Sequence, residues 1–155
     1  MIIKVIGVGQ SLRGDDAAGL EAVRLWQDMF PVSATRVHLE LSELPGLSLL
    51  ELLDGMDAGI IVDAVRSADP PGTLHHLGPD DLASFTPDAG SAHGWGVAET
   101  LRLGRSLYPA LAKCRVTLIG IVGGIFEIGA GLTPQVQEVL MEAAMMIEKE
   151  VQGLH

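Results

Sequence analysis

Residues 2–16 read IIKVIGVGQSLRGDD, and this stretch decides the fold. The apolar run at residues 2–8 is typical of a strand that is buried on both faces of a parallel sheet. The glycines that follow allow a tight turn, and a helix is predicted to begin at Asp15 or Asp16 and to continue to about Phe30. A strand that passes through a short glycine loop into a helix is the first half of a βαβ unit.

The same alternation of strand and helix continues along the chain. Further strands are predicted at residues 35–41, 58–65, within 70–78 and at 115–123, further helices at 46–56, 93–108 and 132–151, and a loop at 79–92. Thr133 and Pro134 suit the N-cap and the first turn of the last helix. The pattern predicts an α/β protein, a three-layer α/β/α sandwich around a mostly parallel twisted sheet, with residues 1–155 in one domain.

Composition narrows the possible partners. The chain has 155 residues and a formal net charge of -10, which disfavours nucleic acid and anionic membranes because phosphate binding depends on Lys and Arg. Cys114 is the single cysteine, so neither an internal disulfide nor a thiolate metal cluster is possible. The N-terminal apolar run lacks the pattern of a signal peptide and is too short to span a membrane. We therefore expect a cytoplasmic protein.

The glycine loop also allows a nucleotide interpretation. Gly7 and Gly9 fit the dinucleotide-binding pattern G-x-G-x-x-G, but Leu12 stands at the third glycine position. Glu40, at the end of the second predicted strand, fits the position of the ribose-binding acid. However, a phosphate at this helix N-terminus would meet the negative charge of two adjacent aspartates. A doubly wound nucleotide- or cofactor-binding domain is therefore the alternative prediction.

Three polar residues, far apart in the sequence, form the candidate site: Asp16, Asp63 and His93. Asp63 lies near the end of the apolar strand GIIVDAV, where an unpaired buried carboxylate is costly. The carboxyl ends of parallel strands share one sheet edge, so Asp16 and Asp63 are expected to lie close together, with a cation or a shared proton relieving their repulsion. His93 precedes a helix, whose N-terminus favours the neutral imidazole that binds metal. The three residues together predict a site for a divalent transition metal.

Other polar residues have simpler interpretations. Asp15 is expected to cap the first helix or to be solvated. Cys114 is expected to be a buried structural thiol. The remaining histidines are expected to be structural or solvated, with the adjacent pair in the fourth strand pointing to opposite faces: His38, His75, His76 and His155.

Several separate stretches of the chain match the motifs of one protein family. They are GVGQSLRGDDAAG at 7–19, IIVDAV at 60–65, PPGTLHHL at 70–77, SAHGWGVAETL at 91–101 and, more weakly, GLTPQV at 131–136. By these stretches and their order, the chain resembles the [NiFe]-hydrogenase maturation proteases. That family has an α/β/α sandwich fold and contacts nickel through an acid at the Asp16 position, an aspartate at Asp63 and a histidine at His93.

The resemblance implies an aspartyl-type endopeptidase that removes the C-terminal extension of a [NiFe]-hydrogenase large-subunit precursor after nickel insertion. It implies that Asp16, Asp63 and His93 are catalytic and contact a nickel ion that the substrate carries. Three features differ from the family. Gln10 stands where an asparagine is usual, and ELSELPG at 40–46 replaces an acidic D-G-G-T-like stretch, with Glu40 or Glu43 as the expected acid. GIVGG at 120–124 stands where other members end the late strand with a Gln-Pro pair. A non-catalytic maturation partner with the same fold is a further alternative.

Overall fold

The computed structural model describes residues 1–44, 46–85 and 95–155. The strands in these residues are β1 (Ile3–Val8), β2 (His38–Ser42), β3 (Ala58–Val65), β4 (Leu74–Leu77) and β5 (Arg115–Val122). The α-helices are α1 (Ala18–Met29), α2 (Pro31–Ala34), α3 (Ser48–Leu52), α4 (Pro79–Ala83), α5 (Gly96–Leu107) and α6 (Pro134–Leu154). Short 3₁₀ helices cover Gly14–Ala17 and Pro109–Lys113.

The strands of the described residues form one sheet in the order β2-β1-β3-β5-β4. β1 pairs in parallel with both β2 and β3, and β3 pairs in parallel with β5. The edge strand β4 runs antiparallel to β5. Gly7 of β1 lies beside Val62 of β3, so the loop that follows β1 and the end of β3 meet at the same edge of the sheet.

Helices cover both faces of this sheet. The alternation of side chains along β3 sends Ile60 and Val62 into the core beneath α1 and α6, and Ile61 and Val65 into the core beneath α3, α4 and α5. β3 is therefore apolar on both faces, as its uninterrupted hydrophobic run predicts. The predicted three-layer α/β/α sandwich is confirmed.

The main error of the sequence prediction lies at residues 79–83, within the stretch 79–92 that was expected to be loop, of which residues 86–92 lie outside the described residues. Residues 79–83 form α4, and its Leu82 is buried in the core. Pro79 occupies the first turn, and the Asp81 carboxylate accepts a hydrogen bond from the backbone N–H of Gly78. This helix is too short to show a helical period in the sequence. Burial of Leu82 and the hydrogen bond to Gly78 stabilise it, and both contacts form only in the folded chain.

Candidate active site

The loop after β1 brings the Asp16 carboxylate to the edge of the sheet. Gly9 has a positive φ of 155°, and a side-chain carbon at this position would overlap the carbonyl oxygen of Asp16. The absence of a side chain at Gly9 therefore lets the loop fold tightly against the residue it presents. The Asp16 carboxylate accepts a hydrogen bond from the backbone N–H of Gln10 at 3.0 Å, which fixes its position across the loop.

Asp15 faces away from Asp16 and is fully buried. Its carboxylate accepts hydrogen bonds from the backbone N–H groups of Gly124 (2.8 Å), Ile125 (3.3 Å) and Thr133 (2.7 Å). The Thr133 hydroxyl donates to the same carboxylate at 2.9 Å. Burial by itself raises the pKa of Asp15, but these bonds together outweigh burial and hold the pKa below its ordinary value. Asp15 is thus an ionised anchor between the first loop and the segment that precedes α6.

This anchor corrects two expectations. Asp15 was expected to cap the helix or to be solvated, but it makes no capping bond and has no exposed surface. Thr133 occupies the N-cap position of α6 as predicted, yet its hydroxyl bonds to Asp15 and makes no capping bond to the helix. The sequence gives only a weak indication of this role: it contains a second aspartate beside Asp16, and the metal-ligand hypothesis assigns no function to it.

Asp63 lies near the end of β3, opposite Gly120 of β5. The residue retains partial exposure to a cavity while protein atoms surround most of its carboxyl group. Burial raises the pKa of Asp63 well above its ordinary value, and the negative charge of Asp16 raises it further. Burial also raises the pKa of Asp16, although the Gln10 amide and nearby arginines oppose that change.

The two carboxylates face one cavity of about 350 Å³. Its walls are largely apolar and include Val8, Leu44, Leu49 and Val97. Two acids that repel each other in an apolar enclosure are stabilised by a proton or by a cation between them, so the donors fit a metal ion. The predicted proximity of Asp16 and Asp63 is confirmed, whereas their role as ligands stays a prediction.

The third predicted ligand, His93, lies outside the described residues. Within residues 1–44, 46–85 and 95–155, no three side chains of the metal-ligating types cluster closely enough to hold an ion. The described part of the site therefore consists of two carboxylates, and any complete ligand set needs a donor from elsewhere.

Hydrogen bonds around the first loop connect Gln10 to Glu43, one of the two acids that the sequence analysis named for this region. The Gln10 side chain donates to the carbonyl oxygen of Glu43 at 2.6 Å, and the Glu43 carboxylate accepts from the backbone N–H and hydroxyl of Ser11. These bonds tie the β1 loop to the segment that follows β2. Glu43 lines the cavity, and its pKa is lowered by the two bonds from Ser11. The side chain of Gln10, which is longer than that of the asparagine usual in the family, supplies this link between the two loops.

The other histidines and the cysteine lie as expected. His75 contacts Asp69 and the ring of Trp95, while His76 contacts Glu150 of α6, so the two histidines point to opposite faces of β4. Cys114 is buried, and burial raises the pKa of its thiol. None of the helices in the described parts of the chain combines the length and the apolar character that a membrane crossing requires.

Comparison with known proteins identifies the family. The family model described as hydrogenase maturation protease (HycI) matches residues 44–150. The chain is similar to the hydrogenase 2 maturation protease of Escherichia coli, with 30% identity over 146 residues that cover 94% of this chain and 87% of that protein.

Solved structures of known proteins have a similar fold. The fold is similar to that of the hydrogenase maturating endopeptidase HybD from E. coli, with a TM-score of 0.76, 27% identity and coverage of 99% of this chain and 93% of that one. It is also similar to the fold of the [NiFe] hydrogenase maturation protease HybD from Thermococcus kodakarensis, with a TM-score of 0.72, 24% identity and coverage of 97% and 99%. The chain therefore belongs to the hydrogenase maturation protease family, a family of peptide hydrolases.

Proposed function

We propose that this protein cleaves the C-terminal extension from a [NiFe]-hydrogenase large-subunit precursor once nickel has been inserted, and that it recognises the bound nickel. One observation carries the proposal: Asp16 and Asp63 face the same largely apolar cavity, where burial, and then the charge of Asp16, raises the pKa of Asp63. A pair of carboxylates in this state gains from a cation that arrives with the substrate.

Nickel suits the proposed ligand set. Carboxylate oxygens and an imidazole nitrogen are donors that first-row divalent metals accept, and three protein ligands leave coordination positions open. Asp16 and Asp63 supply the oxygen donors, and His93 is the proposed nitrogen donor. The metal belongs to the precursor, so the same contacts have two effects. They make binding depend on the presence of nickel, and they fix which peptide bond of the precursor lies at the site.

Hydrolysis adds water across one peptide bond, with hydroxide joining the carbonyl carbon and a proton joining the leaving amine. The nickel ion can polarise the carbonyl or activate the water. Holding the peptide beside the ion lowers the entropic part of the activation barrier, because the reacting groups are already oriented. Burial raises the pKa of Asp63, so its carboxyl group holds a proton to higher pH than an exposed carboxyl does and is suited to transfer a proton. Each route requires that Asp16 and Asp63 occupy the same cavity.

The decisive test is a cleavage assay with the nickel-loaded large-subunit precursor and with the same precursor lacking nickel. Wild-type protein should shorten only the nickel-loaded form, and Asp16→Asn should abolish this cleavage because it removes one anionic ligand. Asp28→Asn is the matched control, since Asp28 is exposed on α1 outside the candidate site. Cleavage by Asp16→Asn at the wild-type rate would reject the ligand role, and no cleavage by the wild-type protein would favour a non-catalytic maturation partner.

A further inference from the structure

The segments that follow β1 and β2 lie side by side beyond the ends of the two strands. Val8 and Ser42 are the last paired residues of these parallel strands. One more backbone hydrogen bond follows, from the N–H of Gly9 to the carbonyl oxygen of Ser42 at 3.1 Å. Within the described residues no further backbone bond joins the two segments, and side chains make the remaining connections.

Gln10 and Glu43 make these side-chain connections in both directions. The Gln10 side-chain amide donates to the carbonyl oxygen of Glu43 at 2.6 Å. In return, the Glu43 carboxylate accepts from the backbone N–H of Ser11 at 2.7 Å and from the Ser11 hydroxyl at 2.9 Å. Each segment thus contributes a side chain that bonds to the other segment. We call Gln10, Ser11 and Glu43, with these three bonds, the clamp.

The clamp acts on the residue that holds the Asp16 carboxylate. The backbone N–H of Gln10 donates to that carboxylate at 3.0 Å. The peptide group that carries this N–H is planar, and the chain is attached on both sides of it. Gly9 bonds to Ser42 on one side, and the Gln10 side chain bonds to Glu43 on the other. A shift of residues 9–11 would therefore move the donor that fixes Asp16.

The clamp depends on the length of the Gln10 side chain. An asparagine is one methylene shorter, so its amide would lie about 4 Å from the Glu43 carbonyl oxygen, outside hydrogen-bond range. Asparagine is the usual residue of the family at this position, and the stretch that contains Glu43 also differs from the family. These two differences meet in the bonds of the clamp, which indicates that they compensate for each other in this chain.

We propose that Gln10 and Glu43 are positioning residues that hold the Asp16 carboxylate in place for precursor cleavage, an inference that rests on the proposed function. Every bond of the clamp is exposed to solvent, so each one alone contributes little to stability. The two side chains restrain the loop only together, because each one attaches a different segment. A displacement of a reacting group by about 1 Å can lower a rate on the order of 100-fold, even where the fold is kept.

The test measures kcat/KM for cleavage of the nickel-loaded precursor by Q10N, E43A and the double variant. Each single variant should lower kcat/KM on the order of 10-fold, because Asp16 loses its fixed position. The double variant should be no slower than the slower single variant, since either change opens the clamp. The melting temperature should fall by less than about 5 °C. The matched controls Q27N and E138A, at exposed positions on α1 and α6, should cleave like the wild type.

The conservative variant E43Q separates positioning from a direct contact between Glu43 and the substrate. A glutamine keeps an oxygen that can accept the Ser11 bonds, and the backbone carbonyl that accepts the Gln10 bond is unchanged. E43Q should therefore cleave within about threefold of the wild-type rate, whereas E43A should not. If E43Q is as slow as E43A, the charge of Glu43 acts on the substrate and the positioning role is wrong. Independent costs that add in Q10N/E43A would also contradict a single clamp.

Amide hydrogen exchange gives a measurement that does not depend on cleavage. The Gln10 and Ser11 amides donate to Asp16 and Glu43, so both should exchange on the order of 10-fold faster in E43A and near the wild-type rate in E43Q. The Gly124 amide, whose bond lies outside the clamp, should not change.

The outcomes separate this inference from the proposed function. Unchanged exchange of the Gln10 amide in E43A, or cleavage by both Q10N and E43A at the wild-type rate, would overturn the positioning role and leave the proposed function intact. A wild-type protein that does not cleave the nickel-loaded precursor would overturn the proposed function and, with it, the role of the clamp in cleavage.

Discussion

Replacing Asp15 with Asn tests whether this residue anchors the loop that carries Asp16. The substitution keeps the size of the side chain but replaces one carboxylate oxygen with an NH₂ donor. One side of the carboxylate accepts the Thr133 N–H, and the other accepts the N–H groups of Gly124 and Ile125. Whichever side the NH₂ group takes, it faces at least one backbone N–H that has then lost its acceptor.

The expected cost follows from the number and kind of bonds. A hydrogen bond to a charged group contributes about 1.5–3 kcal/mol, and a buried donor without a partner costs about 1–3 kcal/mol. Asp15 is fully buried, so we expect Asp15→Asn to lower the free energy of unfolding by about 3 kcal/mol. For a chain of this size, that corresponds to a fall in melting temperature of about 6–12 °C.

Urea unfolding as a function of pH is the assay. The pKa of Asp15 is depressed in the folded protein, so its contribution to stability is present above the unfolded pKa and is lost as the pH falls through the folded pKa. The difference between wild type and Asp15→Asn should be constant above about pH 5 and should shrink below about pH 4. The control Asp28→Asn, at an exposed position, should change stability by less than about 0.5 kcal/mol.

Two results would refute this reasoning. A loss below about 1 kcal/mol at neutral pH would mean that the bonds to Asp15 contribute little beyond those to an amide. A larger loss that stays the same down to about pH 3 would mean that the ionised carboxylate is not the stabilising species. If the anchor is real, Asp15→Asn should also slow precursor cleavage, because the loop that presents Asp16 loses its attachment.

Three further predictions concern the carboxylate pair and its loop. The substitution Asp16→Asn should lower the pKa of Asp63, because it removes the negative charge that helps to raise it; carboxyl carbon NMR titration measures the shift, and an unchanged pKa would contradict the coupling. Nickel, zinc or cadmium should raise the melting temperature more at about pH 7 than at about pH 5, since protons compete for carboxylates with raised pKa values, and Asp63→Asn should remove the effect. Equal stabilisation by nucleotides would support the nucleotide alternative. Gly9→Ala should cost about 3 kcal/mol or more in urea unfolding, because its methyl group would overlap the Asp16 carbonyl. Gly153→Ala, in open space on α6, should be neutral or stabilise by up to about 1 kcal/mol.

Local sequence patterns predicted the long helices, which show a clear helical period, and the strands that have an uninterrupted apolar run. The apolar run at 58–65 gave the bounds of β3, and Thr133 with Pro134 marked the start of α6, since these signals depend on neighbouring residues alone. α4 was missed, because five residues are too few to show a helical period and its burial depends on distant residues. The match to family motifs was confirmed by the comparisons, because those motifs are themselves local strings of residues.

The sequence by itself determined the layered α/β architecture and singled out Asp16 and Asp63, since the alternation of strands and helices is visible locally and the carboxyl ends of parallel strands share one sheet edge. Only the tertiary structure decided that Asp15 turns inward to four donor groups and that Gln10 and Glu43 join two loops beside a cavity. The physical reason is that hydrogen-bond partners and cavities are formed between segments far apart in the chain. Their positions are set by the packing of the whole fold, which no local pattern encodes.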